Sequence, residues 1–444
     1  MTVPVHHLLA TVLFVVALFG TPVPLGAQPT DEADNQAESE QQVDATDIAE
    51  LRRQIEILAE ELERLRSGEE SRDELSEDET RALGLAPSAA AAYEGASGVS
   101  IAGYGEMLYE NFADQDQAGQ PTGRTSQFDF LRAIIYAGYR FDDRFLFNSE
   151  IEIEHADEVF VEFAYLDYLA HENFGLRGGM LLVPMGLVNE FHEPTVFLGA
   201  ERPLTEQRII PSTWRENGGG IYGSVDRVAF RAYVINGFNG SNFSSSGLRG
   251  GRQKGSKAKA SSLAFTGRVD VTPTPGVFVG ASVYVGGSGQ GEVRIDDREF
   301  DVRTTIFDLH GQAEIRGFDI RGLFARADIG DAAELNLVLG TTRSNGVAEV
   351  MQGGYVQFGY NMFSQLPAAG GVTLTPYVRF EQVDTQATMP TGFERGLSSD
   401  ITVTTVGVEL KPISNVVLKI DYAWVNDEAD TGVNQFNINL GYAF

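Results

Sequence analysis

The chain has 444 residues without a single cysteine, carries 49 glycines, 28 phenylalanines and 15 tyrosines, and bears a formal net charge of −30. Lack of cysteine removes disulfides and thiolate metal sites, and past residue 27 no run of about 18 apolar residues could cross a bilayer as a helix. A mean hydropathy of −0.13 still allows a membrane protein of another kind, because a β-barrel spreads its apolar residues over alternate positions.

Residues 1–27 read as an export signal: apolar from Leu8 to Phe19, then helix-breaking Pro22 and Pro24, then Leu25, Gly26 and Ala27 as a cleavage context. Residues 28–47 form an acidic linker poor in aromatics. Over 48–66, Ile48, Leu51, Ile55, Leu58, Leu62 and Leu65 follow the alternating three-and-four spacing of a coiled-coil seam. Asp47 and Glu61 fall at g and Arg52 and Arg66 at the following e positions, so opposite charges can pair between parallel copies. A parallel homo-oligomeric coiled coil is expected, with a lone amphipathic helix as the alternative. Isoleucine at a with leucine at d leans toward two strands, so the seam does not fix the number of chains. Residues 67–98 return to an acidic and alanine-rich linker.

From 99 to 444 the expected fold is an all-β transmembrane barrel of about sixteen antiparallel strands, at about 20 to 22 residues per strand plus connection. In Arg144 to Glu154, Phe145, Phe147, Ile151 and Ile153 share one face, and Asn148, Glu150, Glu152 and Glu154 the other. The second face has to be the lumen, since carboxylates facing lipid are expensive. Leu263, Phe265, Val269 and Val271 likewise oppose Arg268 and Asp270, and Val416 to Trp424 alternates toward aromatics suited to an interfacial belt. Short turns at Asp142-Asp143, Val225-Asp226, Pro273 to Gly276 and Pro412 to Asn415 alternate with longer polar segments, the asymmetry of a barrel's periplasmic and external ends. The stretch 184–217 is too polar and proline-rich for lipid, and reads as a loop folded inward as a constriction. The chain closes on QFNINLGYAF, a strand of period two whose final Phe444 is the expected barrel-assembly signal.

The motifs Gly103-Tyr104-Gly105-Glu106, Arg177-Gly178-Gly179, Val183-Pro184-Met185-Gly186, Asn189 to Pro194, Ile210 to Glu216, Gly250 to Gly255 and Tyr377 to Glu381 resemble the phosphate-selective porin O and P family, together with its relatives that carry an N-terminal coiled coil. That resemblance implies a trimeric porin of sixteen strands with one channel per subunit.

Residues 28–98 contribute −14 to the net charge and leave −16 on the barrel, which by itself favours cations. Side chains at the narrowest point outweigh the sum. Arg202, Arg208 and Arg215 lie in or beside the inward loop, and Arg132, Arg177, Arg268 and Arg379 fall on the luminal face. Arg249, Arg252, Lys254, Lys257 and Lys259 occupy a stretch without any acid between Gly237 and Thr266. These cations, with Glu150, Glu152 and Glu154, are the candidate pore-lining and selectivity residues. The bland readings are structural ion pairs for the luminal arginines and a solvated loop, touching lipopolysaccharide phosphates, for the basic cluster.

No serine stands in a nucleophile setting beside His155, His171, His192 or His310, and no paired-histidine metal spacing occurs, so catalysis, cofactors and metals are not expected. The sequence therefore points to an outer-membrane channel for small hydrophilic solutes, anions such as phosphate or carboxylates. Its expected partners are outer-membrane lipid, lipopolysaccharide, the barrel-assembly machinery and copies of itself, with no nucleic acid. A structural tether reaching toward the cell wall through the coiled coil is the alternative.

Overall fold

The computed structural model describes residues 77–94, 98–366 and 371–444, together with Arg53 and Leu75. The signal segment, the first linker and the seam residues Ile48, Leu51, Ile55, Leu58, Leu62 and Leu65 lie outside the described residues. Everything described from Leu75 onward belongs to one compact unit, Gly68–Phe444.

Two short helices come first, α1 (Glu77–Leu83) and α2 (Pro87–Glu94). The strands follow as β1 (Gly98–Phe112), β2 (Gln127–Arg140), β3 (Phe145–Glu154), β4 (Glu158–His171), β5 (Phe174–Leu182), β6 (Arg215–Val225), β7 (Val228–Asn236), β8 (Leu263–Thr274) and β9 (Val277–Gly287). A small separate hairpin, β10 (Arg294–Ile295) and β11 (Arg298–Glu299), sits in the next loop. The wall resumes with β12 (Arg303–Ile315), β13 (Phe318–Ile329), β14 (Val350–Tyr360), β15 (Thr373–Thr388), β16 (Asp400–Ile413), β17 (Val416–Asp427) and β18 (Gln435–Ala443). Between β5 and β6 lies α3 (Thr205–Arg208), and after β13 lies α4 (Ala332–Leu339). Each wall strand pairs antiparallel with its sequence neighbour, β9 with β12, and β18 closes on β1, giving a sealed barrel of sixteen strands. The expected strand number and closure hold. Gly103 and Phe444 exchange both backbone hydrogen bonds at 2.8 Å, so the terminal residue is part of the seam.

Period two sorts the wall as expected. Ile101, Ile135, Leu166, Val234, Phe265 and Leu309 are exposed on the outside, while Tyr104, Glu152, Asp167, Arg268 and Lys419 are buried inside. An apolar exterior band is what lipid requires of a closed sheet. Aromatic pairs stand at both rims: Tyr139–Phe141 and Phe318–Tyr360 toward the short turns, Tyr422–Trp424 toward the long loops.

The stretch expected to be an acidic and alanine-rich linker, 67–98, instead contains α1 and α2, which pack inside the barrel near the short turns. Their fastening runs through backbone more than side chains. Carbonyls of Arg81 and Ala82, at the end of α1, accept from Arg231, and that of Leu83 accepts from Arg177 at 3.1 Å. Guanidinium groups thus satisfy carbonyls that a helix C-terminus leaves orphaned and complement its dipole. Pro87 opens α2, where a missing N–H costs nothing, and the next residue, Ser88, donates from both its amide and its hydroxyl to Glu193. Asn148 and Arg140 cap the helix by donating to the carbonyls of Ala89 and Tyr93. Leu85, Ala89, Ala90 and Ala92 are buried; Leu85 alone is worth about 2 kcal/mol of apolar burial.

Room for α2 depends on Gly138 of β2, where a Cβ would overlap that of Ala92 and lie 3.1 Å from its Cα. Gly138→Val is expected to leave the barrel folded, as judged by heat-modified gel migration, while unseating α2, so that limited proteolysis cuts between residues 77 and 94. Protection of that segment at the native level in the variant would contradict the seating described here.

Candidate functional site

The connection between β5 and β6, residues 183–214, enters the lumen. The boundary expected from sequence, 184–217, is shifted at its end, because Arg215, Glu216 and Asn217 already belong to β6. Its stem is closed by Asn189, which is fully buried: the side-chain amide donates to the carbonyls of Val183 (2.7 Å) and Trp214 (2.9 Å), and its oxygen accepts from the Trp214 amide. Trp214 stacks on Phe238, ring centroids 4.4 Å apart, and touches Tyr284.

Beyond the stem the loop crosses to the far wall and is held there by inward side chains. Lys419 donates to the carbonyls of Phe197 (2.8 Å) and Gly199 (3.0 Å), and Asp421 accepts from the Ala200 amide at 2.7 Å. Glu381 accepts from the Leu204 amide and Arg379 donates to the Glu201 carbonyl. Glu206 of α3 folds back to accept from the Leu187 and Val188 amides and from the Tyr355 hydroxyl. A polar backbone taken out of bulk water must find partners, and the lumen supplies them residue by residue. Between loop, α1 and strands β12, β13, β15 and β16, a cavity of about 420 Å³ remains toward the short turns, with Arg81, Phe191, Arg321 and Lys411 on its walls.

The luminal arginines expected to set selectivity are all inside the barrel, yet each is neutralised. Arg132 meets Glu106 at 2.9 Å, Arg177 forks onto Asp167 with both bonds at 2.9 Å, Arg268 meets Asp270 at 2.7 Å and Arg379 meets Glu381 at 2.9 Å. Arg177 also stacks between Tyr165 and Tyr222. Each of the four is paired within the wall, the arrangement of the structural ion-pair reading.

The basic stretch 249–254 behaves differently. Arg249 donates to the Ser212 carbonyl, and Arg252 to those of Pro211 and Thr213, so the loop between β7 and β8 is folded over the inward loop. Among the described residues Arg202, Arg208, Arg249, Arg252 and Lys254 have no carboxylate at ion-pair distance, and one guanidinium nitrogen of Arg202 has no partner at all. Burial, aggravated by Arg249 and Arg215, lowers Arg252 to about 9. Lys254 is lowered by the same causes, with Arg252 first among its neighbours. Arg215 differs, with Glu162 at 3.6 Å and the Phe160 ring beneath it. Lys257 and Lys259 stay exposed, and Lys259 pairs with Glu292.

Glu150 and Glu152 are buried, and Glu154 sits at the upper end of β3 near Lys254. Facing the first two is Glu162, which sequence alternation did not single out. The register between β3 and β4 shifts by one at Glu150/Ile151, so both Glu162 and Phe163 point inward. The inward loop adds His192, whose Nδ1 lies 2.9 Å from the Asn189 carbonyl and whose Nε2 faces Glu150 (3.6 Å) and Glu162 (3.8 Å). His310 is held by Asp308 and Asp270, and Ser282 donates to Asp308 instead of the imidazole.

Fold and site together define a porin-like barrel, sixteen strands with a long connection folded into the lumen. OmpF of Salmonella typhi, in complex with daunomycin, superposes with a TM-score of 0.52 at 13% identity, covering 79% of this chain and 98% of that one. A loop-deletion mutant of OmpT, an outer-membrane protein of Vibrio cholerae, superposes at 0.51 with 13% identity, covering 79% and 100%. No protein-family model matches the chain. An uncharacterized protein of Aquifex aeolicus (strain VF5) is 40% identical over 355 residues, 76% of this chain and 78% of that one, and the chain belongs to the family of that protein.

Two outcomes test the site. Asn189→Ala leaves the Trp214 amide without a partner, while the Val183 and Trp214 carbonyls keep the Met185 and Val183 amides, and is expected to cost about 2 kcal/mol in urea unfolding from detergent; a loss under about 0.5 kcal/mol would mean that the stem does not depend on it. Burial raises Glu193 to about 7 from its ordinary 4.5, against the Ser88 hydrogen bonds. Burial, then Glu110 and Asp421, raises Glu201 to about 7 as well. In the window from 4.5 to 7 the folded protein therefore holds protons that the unfolded chain has released, and stability falls as pH rises through it. The melting temperature should drop between about pH 5 and pH 8, and the double variant Glu193→Gln/Glu201→Gln should flatten that slope.

Proposed function

We infer that the protein is an outer-membrane porin, a passive channel for small hydrophilic solutes, whose external mouth favours anions such as phosphate or carboxylates. The observation that carries the reading is the division of its cations. Wall arginines are paired and spent on structure, while among the described residues Arg202, Arg249, Arg252 and Lys254 act on their neighbours in this group without a carboxylate at ion-pair distance. With low-dielectric walls, unpaired charge of one sign raises the local concentration of the opposite ion, and guanidinium forks suit phosphate and carboxylate oxygens. The phosphate-selective O and P resemblance supports the choice of solute within that class. Long loops are assigned to the external end and short turns to the periplasm, as in bacterial barrels. A cleaved signal at 1–27, a periplasmic coiled coil at 48–66, a homotrimer, contacts of Lys257 and Lys259 with lipopolysaccharide, and recognition of Phe444 by the assembly machinery belong to the same proposal.

A second reading draws on one observation, the fastening of α1 and α2 by Arg177, Arg231, Arg140 and Asn148. A segment bolted so firmly would serve an envelope tether as well as a channel. Two measurements separate and test these readings. Reversal potentials across a salt gradient should show anion preference, and Arg249→Gln/Arg252→Gln/Lys254→Gln should shift the permeability ratio toward cations by about threefold or more; cation preference in the native protein would defeat the anion reading. Removing residues 28–94 should raise single-channel conductance in a porin, whereas absence of conductance from folded barrels both with and without the segment would leave the tether.

A further inference from the structure

We propose that Glu150, Glu162 and His192 form a binding site for one divalent transition-metal ion, which pins the inward loop to strands β3 and β4. Donor atoms of the three residues lie within 4.8 Å of one another. All three side chains are essentially sealed from solvent, at 0%, 0% and 2% exposure. Both oxygens of Glu150, both of Glu162 and the Nε2 of His192 find no hydrogen-bond partner. Buried carboxylate oxygens ordinarily take up two or more bonds each, so five converging donors without one need a cation.

The chemistry of the set fits a metal better than a salt bridge. The Asn189 carbonyl can only accept, so the Nδ1 of His192 donates to it and Nε2 is the ring nitrogen turned toward the carboxylates. A backbone carbonyl that fixes the tautomer and orients the ring is the usual support for a metal-bound histidine. At metal–ligand distances of about 2.1 Å, donors around a tetrahedral ion lie about 3.4 Å apart. The observed 3.6 and 3.8 Å from Nε2 to the two carboxylates need to close by only a few tenths of an ångström.

Local charge points the same way. Glu150, Glu152 and Glu162 face two guanidinium groups, Arg132 at 3.5 Å from Glu152 and Arg215 at 3.6 Å from Glu162. Glu106 already takes up Arg132 at 2.9 Å, and Glu193 takes Ser88. A divalent ion would offset the charge of three clustered carboxylates, on which Arg202, Arg249 and Arg252 act without reaching ion-pair distance. One imidazole with two carboxylates suits zinc, iron(II) or manganese(II), and leaves a coordination position for water. The bulge at Glu162 supplies the second carboxylate; under strict alternation Glu162 and its neighbour Phe163 could not both point inward.

The test uses the full-length protein, folded in detergent and freed of metal with a chelator. Cobalt(II) titration should give saturable binding of one ion per chain with ligand-field absorption in the visible, displaced by zinc(II). Glu150→Gln, Glu162→Gln and His192→Ala should each weaken binding at least tenfold while keeping native heat-modified migration. No saturable binding, or binding that survives His192→Ala, overturns the proposal. Should a variant fail to fold, crystals of the native protein soaked in zinc(II) decide: an anomalous peak between the three side chains supports the site, and peaks only elsewhere overturn it.

Discussion

A wall of sixteen strands encloses more space than its own side chains can fill, and everything inside this protein answers to that constraint. Two segments of the chain, the helices α1 and α2 and the loop 183–214, are drawn into the lumen. Each brings a polar backbone that must be hydrogen-bonded there. Wall strands therefore carry Arg177, Arg231, Arg379, Glu381, Lys419 and Asp421, whose bonds go to main-chain atoms of the inner segments. The charged face of the barrel is first an adhesive for its own contents.

That order explains which parts were legible in the sequence. Strands announce themselves because lipid forces one face to be apolar, and a period of two is visible without knowing any neighbour. The inward loop was readable because Pro184, Pro194, Pro203 and Pro211 with interspersed charges cannot make a lipid-facing strand. Helices α1 and α2 were not readable. They are short and alanine-rich, and they are held through carbonyls, which leave no mark on side-chain pattern. The partners of the wall arginines were legible only in part. Arg268 with Asp270 and Arg379 with Glu381 stand two residues apart on one face, so those pairs lay open to inspection. Arg132 opposite Glu106, and Arg177 opposite Asp167, become neighbours only through strand register.

Electrostatics are thereby split along the channel axis. In the wall, opposite charges sit within hydrogen-bond reach, where the mutual attraction offsets the cost of burial and adds little field beyond the pair. Around the loop mouth, Arg249 and Arg252 spend their donors on the neutral carbonyls of Pro211, Ser212 and Thr213, which leaves their charge uncancelled. Net charge on the barrel, −16, and the local sign at the mouth are thus opposite, and the local sign governs an ion at close range because salt screens the distant charges within about 10 Å.

Glu162 shows how a single irregularity in the wall reaches the constriction. Regular alternation would give β4 one inward residue in two, and the inner surface near Glu150 would hold Phe163 alone. The extra residue brings a carboxylate beside it, and His192, carried on the same short segment as Asn189, comes to face both acids. Asn189 fixes the stem and, through its own carbonyl, the ring of His192. The stem of the loop and its contact with β3 and β4 are therefore coupled within four residues. Any change that moves the Asn189 backbone frees the imidazole as well.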